Sequence, residues 1–140
     1  MGFENAEDLK SIFIELNDWE ERYRYIIELG KELPPIEEQF KTDEYKLFGC
    51  QSNVWLKPIT SADKPNCLDF VADSDSQIVK GLISLVRFLL VGKSAQEVLD
   101  FDIENLFSEI HLREHLTPGR SDGLRHLIAR IRKWATEKAF

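Results

Sequence analysis

Between Asp73 and Gly92 the apolar residues Ile78, Val79, Leu82, Ile83, Leu85, Val86, Leu89 and Leu90 recur at helical spacing and wrap more than halfway round the axis. A helix that apolar cannot lie on a surface. It must be the central element, with other layers covering it on several sides. Asp73, Ser74 and Asp75 offer three possible N-caps for it, and Gly92 offers a stop. The run from Gly81 to Gly92 contains Arg87 and is too short for a bilayer, which takes about 20 residues.

The elements around that helix follow from changes of period. Asn5 can cap a helix with Leu9, Ile12, Phe13 and Leu16 on one face. Asn17 or Asp18 can cap a second, carrying Trp19, Tyr23, Ile26 and Ile27 and stopped near Gly30. Pro34-Pro35 confirms the stop, because neither residue has the amide a helix would need. From Tyr45 to Asp73 the pattern is strand-like. A short strand at Tyr45–Phe48 precedes one through Val54, Leu56 and Ile59, and a turn over Ser61–Asn66 leads to a returning strand with Leu68, Phe70 and Val71. Ser94 caps a short helix through Leu99, and another covers about Ile103 to Leu112. Pro118-Gly119 breaks the chain before a last helix striped with Leu124, Leu127, Ile128, Ile131 and Ala135. The expected fold class is α+β: a three-stranded antiparallel sheet packed against several helices, one domain over residues 1–140.

Composition narrows the function. With 43% apolar residues the chain can bury a real core in spite of 31% charged ones. Its 18 basic and 25 acidic residues leave a net charge of −7, which repels nucleic acid and anionic membranes alike. Met1 to Lys10 is polar and acidic where a secretory signal needs a basic start and an apolar run. A cytoplasmic location is expected, and its reducing pool would keep the two cysteines as thiols.

One of those thiols stands out. Phe48-Gly49-Cys50-Gln51-Ser52-Asn53 lies between two expected strands, where Gly49 permits a turn closed to other residues and three polar residues follow the cysteine. That places Cys50 near a loop tip at the end of a sheet, a position where a scaffold holds functional groups. A small buried hydrophobe is the competing reading for Cys50, and the better one for Cys67, which starts a β run.

Gly49-Cys50-Gln51-Ser52-Asn53-Val54-Trp55 resembles the signature of the SufE family, the sulfur-acceptor proteins that serve PLP-dependent cysteine desulfurases. The likeness continues in Trp19-Glu20-Glu21-Arg22-Tyr23 with Ile26-Ile27-Glu28-Leu29-Gly30. It recurs in Asp73-Ser74-Asp75 with Ile78-Val79-Lys80-Gly81-Leu82, and in Leu116-Thr117-Pro118-Gly119-Arg120-Ser121-Asp122-Gly123-Leu124. The resemblance implies that Cys50 takes a sulfane sulfur from the desulfurase's cysteine persulfide. It also implies stimulation of the desulfurase and delivery of the sulfur to an iron–sulfur scaffold such as the SufBCD complex. The PLP belongs to the partner, and this chain needs no cofactor or metal of its own. Such a protein is a sulfurtransferase partner without turnover by itself, expected as a monomer or weak homodimer.

Arg120 matches the family's arginine in the fourth block, where a guanidinium near Cys50 would lower its pKa and stabilise a persulfide anion, with a surface or partner-contact role as the equal alternative. Asp75 matches an acidic position near the acceptor cysteine, with helix capping as its simpler role. Gln51 and Ser52 would shape the loop or donate hydrogen bonds to sulfur. They look more like the Suf than the Csd type of acceptor, whereas Asn53 departs from the usual glutamine or arginine at a place expected to touch the partner. A persulfide needs protection from water, so Cys50 is expected to be at least partly buried, sheltered by Phe48 or Trp55, with Gly49 as the hinge of a loop that moves for transfer.

Three other readings compete. His111-Leu112-Arg113-Glu114-His115 fits the H-x-x-E-H pattern of inverted zinc proteases. Thr117-Pro118 ends that helix at once, however, and the remaining histidine, His126, is expected to face elsewhere. A non-catalytic adaptor would use the aromatic residues for docking and would survive Cys50→Ser. A thiol peroxidase or disulfide reductase would need Cys67 as the resolving partner of Cys50.

Overall fold

Each α-helix among the described residues begins at a residue whose side chain takes up a free backbone amide. The computed structural model describes residues 4–16 and 18–140. Asn5 caps α1 (Ala6–Glu15), and Asp18 caps α2 (Trp19–Gly30). The alternative cap, Asn17, lies outside the described residues. Ser76 caps α3 (Gln77–Leu90) through a bond from the Val79 amide, so the three expected caps Asp73, Ser74 and Asp75 are displaced by the next residue. Ser94 and Glu97 form a reciprocal capping box on α4 (Ala95–Asp100), Asp102 caps α5 (Ile103–Glu109), and Thr117 caps α6 (Pro118–Thr136).

The central helix is α3, as its composition demands. Ile78, Leu82, Ile83, Leu85, Val86, Leu89 and Leu90 are all buried, and a fully buried leucine contributes on the order of 2 kcal/mol. α2 crosses α3 at glycine contacts. A Cβ on Gly81 would lie 2.0 Å from the Ile26 carbonyl oxygen, and one on Gly30 would lie 2.7 Å from the Gly81 nitrogen. α6 lays Leu124, Leu127, Ile128, Ile131 and Ala135 into the same core. No helix among the described residues is long and apolar enough to cross a membrane.

Among the described residues the sheet has two strands, not three. β1 (Val54–Pro58) and β2 (Phe70–Ser74) run antiparallel, with Val54 opposite Ser74 and Pro58 opposite Phe70. Val54, Leu56, Phe70 and Ala72 point into the core, and Arg87 of α3 binds the Phe70 carbonyl and the Asp69 carboxylate. The expected first strand, Tyr45–Phe48, amounts to a single bridge between Lys46 and Trp55. Its two bonds run from the Leu47 amide to the Val54 carbonyl and from the Leu56 amide to the Tyr45 carbonyl, both 2.8 Å. A turn bonded from the Tyr45 amide to the Thr42 carbonyl precedes it, and the left-handed φ of +90° at Gly49 follows it. Between those two bends no ladder can grow.

The chain before the bridge covers the outer face of β1. The Lys57 ammonium sits over the Phe40 ring at 4.7 Å, and the Lys41 ammonium over Trp55 at 5.5 Å. Lys41 also pairs with Asp73 of β2 at 2.7 Å. Partial burial works against ionisation of Asp73, but its bonds to Lys41 and to the Ser74 amide outweigh it and hold the carboxyl below its usual range.

Candidate functional site

The loop from Gly49 to Asn53 leaves the Lys46–Trp55 bridge and lies along α6 before β1 begins. The His126 imidazole packs over Gly49, where a Cβ would lie 2.9 Å from its Nε2. A Cβ on Gly123 would lie 3.5 Å from the Cys50 Sγ, and one on Gly119 would meet the Gln51 Oε1 at 2.0 Å. Residues 119, 123 and 126 share one face of α6. Residues 49, 50 and 51 therefore sit on successive turns of the helix, running against its direction. A side chain at 119 would displace the Gln51 amide, whereas one at 123 would only reach ordinary contact with the Cys50 sulfur.

Cys50 is half-buried at a cavity of about 20 Å³, roughly the room one water-sized group needs. Leu47, Val54, Val79, Leu82, Leu124 and Leu127 supply its apolar walls; Gln51, Ser52 and Arg120 supply the polar part. Burial pushes the Cys50 thiol above its ordinary pKa, because a thiolate would lose hydration there. Arg120 shares the cavity but does not offset that rise, contrary to the expectation that it lowers the pKa. Its guanidinium enters no ion pair among the described residues.

The far end of the loop is held by Asp75. Its carboxylate accepts from the Asn53 amide at 3.2 Å and from the Asn53 Nδ2 at 2.8 Å, and its own amide donates to the Asn53 carbonyl at 3.3 Å. Asp75 thus acts on the loop, one residue before the cap that displaced it.

Neither expected shelter for Cys50 is in place. Phe48 is 61% exposed, with the Lys46 ammonium 5.6 Å from its ring, and Trp55 packs under Lys41 outside the cavity walls. The turn at Gly49 sends Phe48 and Cys50 to opposite sides, so aliphatic residues of α3 and α6 do the sheltering. Those residues, with Gly119, Gly123 and His126, are what sequence reasoning missed. The signal was present: a Gly-x₃-Gly-x₂-His spacing on one helical face.

The other candidates separate from this site. His111 lies outside any helix at φ +56°, bonded to Glu114, while His115 stacks on Trp19 with ring centroids 3.8 Å apart. The pairing of two histidines on one helical face that H-x-x-E-H needs is therefore not formed. His126 does not face away from the chemistry, as expected, but covers Gly49. Both cysteines are free; Cys67 bridges to Ser94 before α4, on a different part of the fold from the α6 seat of Cys50.

Comparison with known proteins places this loop in a family. The profile of the SufE, Fe–S metabolism associated, domain matches residues 7–135. An uncharacterized SufE-like protein of Rhizobium etli is 47% identical over 128 residues, covering 91% of this chain and 86% of its own. A second, from Rhizobium meliloti, is 44% identical over 124 residues, covering 88% and 89%. The fold matches the solution structure of a hypothetical protein from Thermus thermophilus, with a TM-score of 0.74 over 96% of this chain and 95% of that one at 19% identity. The chain belongs to the SufE family, a family of Fe–S metabolism.

Proposed function

We propose that Cys50 accepts sulfane sulfur from the persulfide of a PLP-dependent cysteine desulfurase, of Suf or Csd type, and carries it to an iron–sulfur assembly scaffold such as the SufBCD complex. The observation that supports this best is the seat of the thiol: half-buried at an apolar cavity, on a loop that turns at a glycine with φ +90°. A reactive thiol in permanent use would be exposed and activated. This one is stored.

The chemistry follows from that storage. In the closed loop, burial keeps Cys50 protonated and unreactive at neutral pH. Rotation at Gly49 brings it into water or the partner's site, where its proton is lost to a base there. The thiolate then attacks the terminal sulfur of the donor persulfide. A new S–S bond forms at Cys50, the donor's S–S bond breaks, and the desulfurase cysteine leaves as a thiolate. No net oxidation occurs. Returned to its cavity, the persulfide has room for about one added atom and apolar walls that exclude reductants. Clearing its persulfide also frees the desulfurase for the next turnover, so stimulation follows without a second active site. Among the described residues Arg120 is the one cation of the cavity wall, suited to an anionic persulfide. PLP stays with the partner, and a reducing cytoplasm keeps Cys50 available.

The test is intact-mass spectrometry after incubation with a desulfurase, PLP and cysteine. Wild type should gain one sulfur atom and accelerate the desulfurase, and Cys50→Ser should do neither. An acceleration that survives Cys50→Ser would favour a non-catalytic adaptor. Sulfur on Cys67 would move the relay to the other thiol.

A further inference from the structure

Phe48 is the only Phe, Tyr or Trp side chain among the described residues that is left exposed, at 61%. It stands two residues before Cys50, and the Lys46 ammonium lies 5.6 Å from its ring. Lys46 enters no ion pair among the described residues, and neither does Arg120 on the cavity wall. The acids beside the loop are engaged: Asp75 holds Asn53, and Asp122 pairs with Arg125. Asp43 and Glu44 lie the other way along β1, beyond Tyr45, whose carbonyl meets the Leu56 amide. On a chain of net charge −7, the Cys50 loop and its cavity wall therefore carry one exposed aromatic ring and two cations without an ion pair among the described residues.

We infer that Phe48, with Lys46 over its ring, is the docking anchor of the Cys50 loop, entering an apolar slot rimmed with carboxylates beside the donor persulfide of the desulfurase. This rests on the relay reading above and names the chemistry of the partner surface. Two features carry it. Two residues span at most about 7 Å, so a partner surface that meets the Cys50 loop comes within reach of the Phe48 ring. The two residues also lie on opposite sides of the hinge. Phe48 follows the buried Leu47 and the Lys46–Trp55 bridge, on the fixed side of Gly49, while Cys50 lies on the moving side. The anchor can bind while the thiol is still stored, and the thiol then swings about a point already held. Aromatic anchors in desolvated pockets carry much of the affinity of an interface, while rim cations act on encounter rate and salt dependence.

The probes are one purified Suf-type and one Csd-type desulfurase, each with PLP. The apparent KM of this chain in stimulating turnover is measured for wild type, Phe48→Ala, Phe48→Tyr and Lys46→Glu, and direct binding in the Cys50→Ser background. Phe48→Ala should raise KM and Kd about tenfold or more, with the saturated rate within about twofold of wild type. Phe48→Tyr should restore binding, and Lys46→Glu should weaken it severalfold and flatten its salt dependence. An unchanged melting midpoint and Cys50 alkylation rate in Phe48→Ala would show that fold and loop are intact. If wild type takes up sulfur but Phe48→Ala stays within twofold with both enzymes, the anchor is overturned and the relay stands. If wild type binds through Phe48 without gaining sulfur, the anchor stands and the relay fails. Neither binding nor sulfur uptake would sink both.

Discussion

Glycine brings chain segments together twice in this molecule, with opposite consequences. Where α2 crosses α3, the atoms facing Gly81 and Gly30 are largely backbone: the Ile26 carbonyl and the Gly81 nitrogen. Where the Cys50 loop meets α6, the facing atoms are side-chain ends: the His126 ring, the Cys50 sulfur and the Gln51 amide. The first contact is enclosed by the apolar core and has nowhere to go. The second borders a cavity and exposed residues, so a shift there displaces side-chain ends and not buried backbone. The same residue type makes a weld in one place and a seat in the other. The difference lies in what it faces.

Substitutions sharpen that contrast. Gly81→Ala should do the most damage, about 3 kcal/mol, because its Cβ would overlap the backbone of a buried helix. In thermal unfolding this should read as a fall of about 10 °C in melting midpoint. Alkylation of Cys50 by iodoacetamide should follow the opposite logic, reporting the seat and not the core. Its rate should climb with pH to a midpoint above that of a free cysteine, because burial raises the thiol pKa and only the thiolate reacts. Urea-unfolded protein should react faster at neutral pH; equal rates would mean the thiol is not stored. Gly119→Ala should push aside only the flexible Gln51 side chain, costing under about 1 kcal/mol while raising the alkylation rate severalfold. Gly123→Ala should change least. Its Cβ would make ordinary contact with the Cys50 sulfur, and alanine's better helix propensity, worth up to about 1 kcal/mol, should leave the midpoint unchanged or raised. A large loss of stability there would show that the seat is as rigid as the α2–α3 crossing.

Several parts of the structure were legible in the residues alone. The wrap of apolar side chains from Ile78 to Leu90 announces the buried helix, and the stripe from Leu124 to Ala135 announces the last one. Asn5, Asp18 and Ser94 cap as their side chains allow. Other features were hidden because they depend on bends or on distant partners. Tyr45–Phe48 has strand-like residues, but the turns on both sides leave it one bridge. Asp73 and Ser74 look like caps, yet strand pairing with Trp55 and Val54 claims them first. Phe48 looks like a shelter, and the conformation of Gly49 turns it outward.

For this SufE-family chain the sequence by itself determined the helical periods, most of the caps and the choice of Cys50 as the candidate thiol, because each is set by neighbours a few positions apart. Only the tertiary structure decided that Cys50 is half-buried at a cavity, that its loop lies against Gly119 and Gly123, and that His126 packs over Gly49. Those relations join residues from distant parts of the chain. They depend on where α6 settles against the core, which no local pattern specifies.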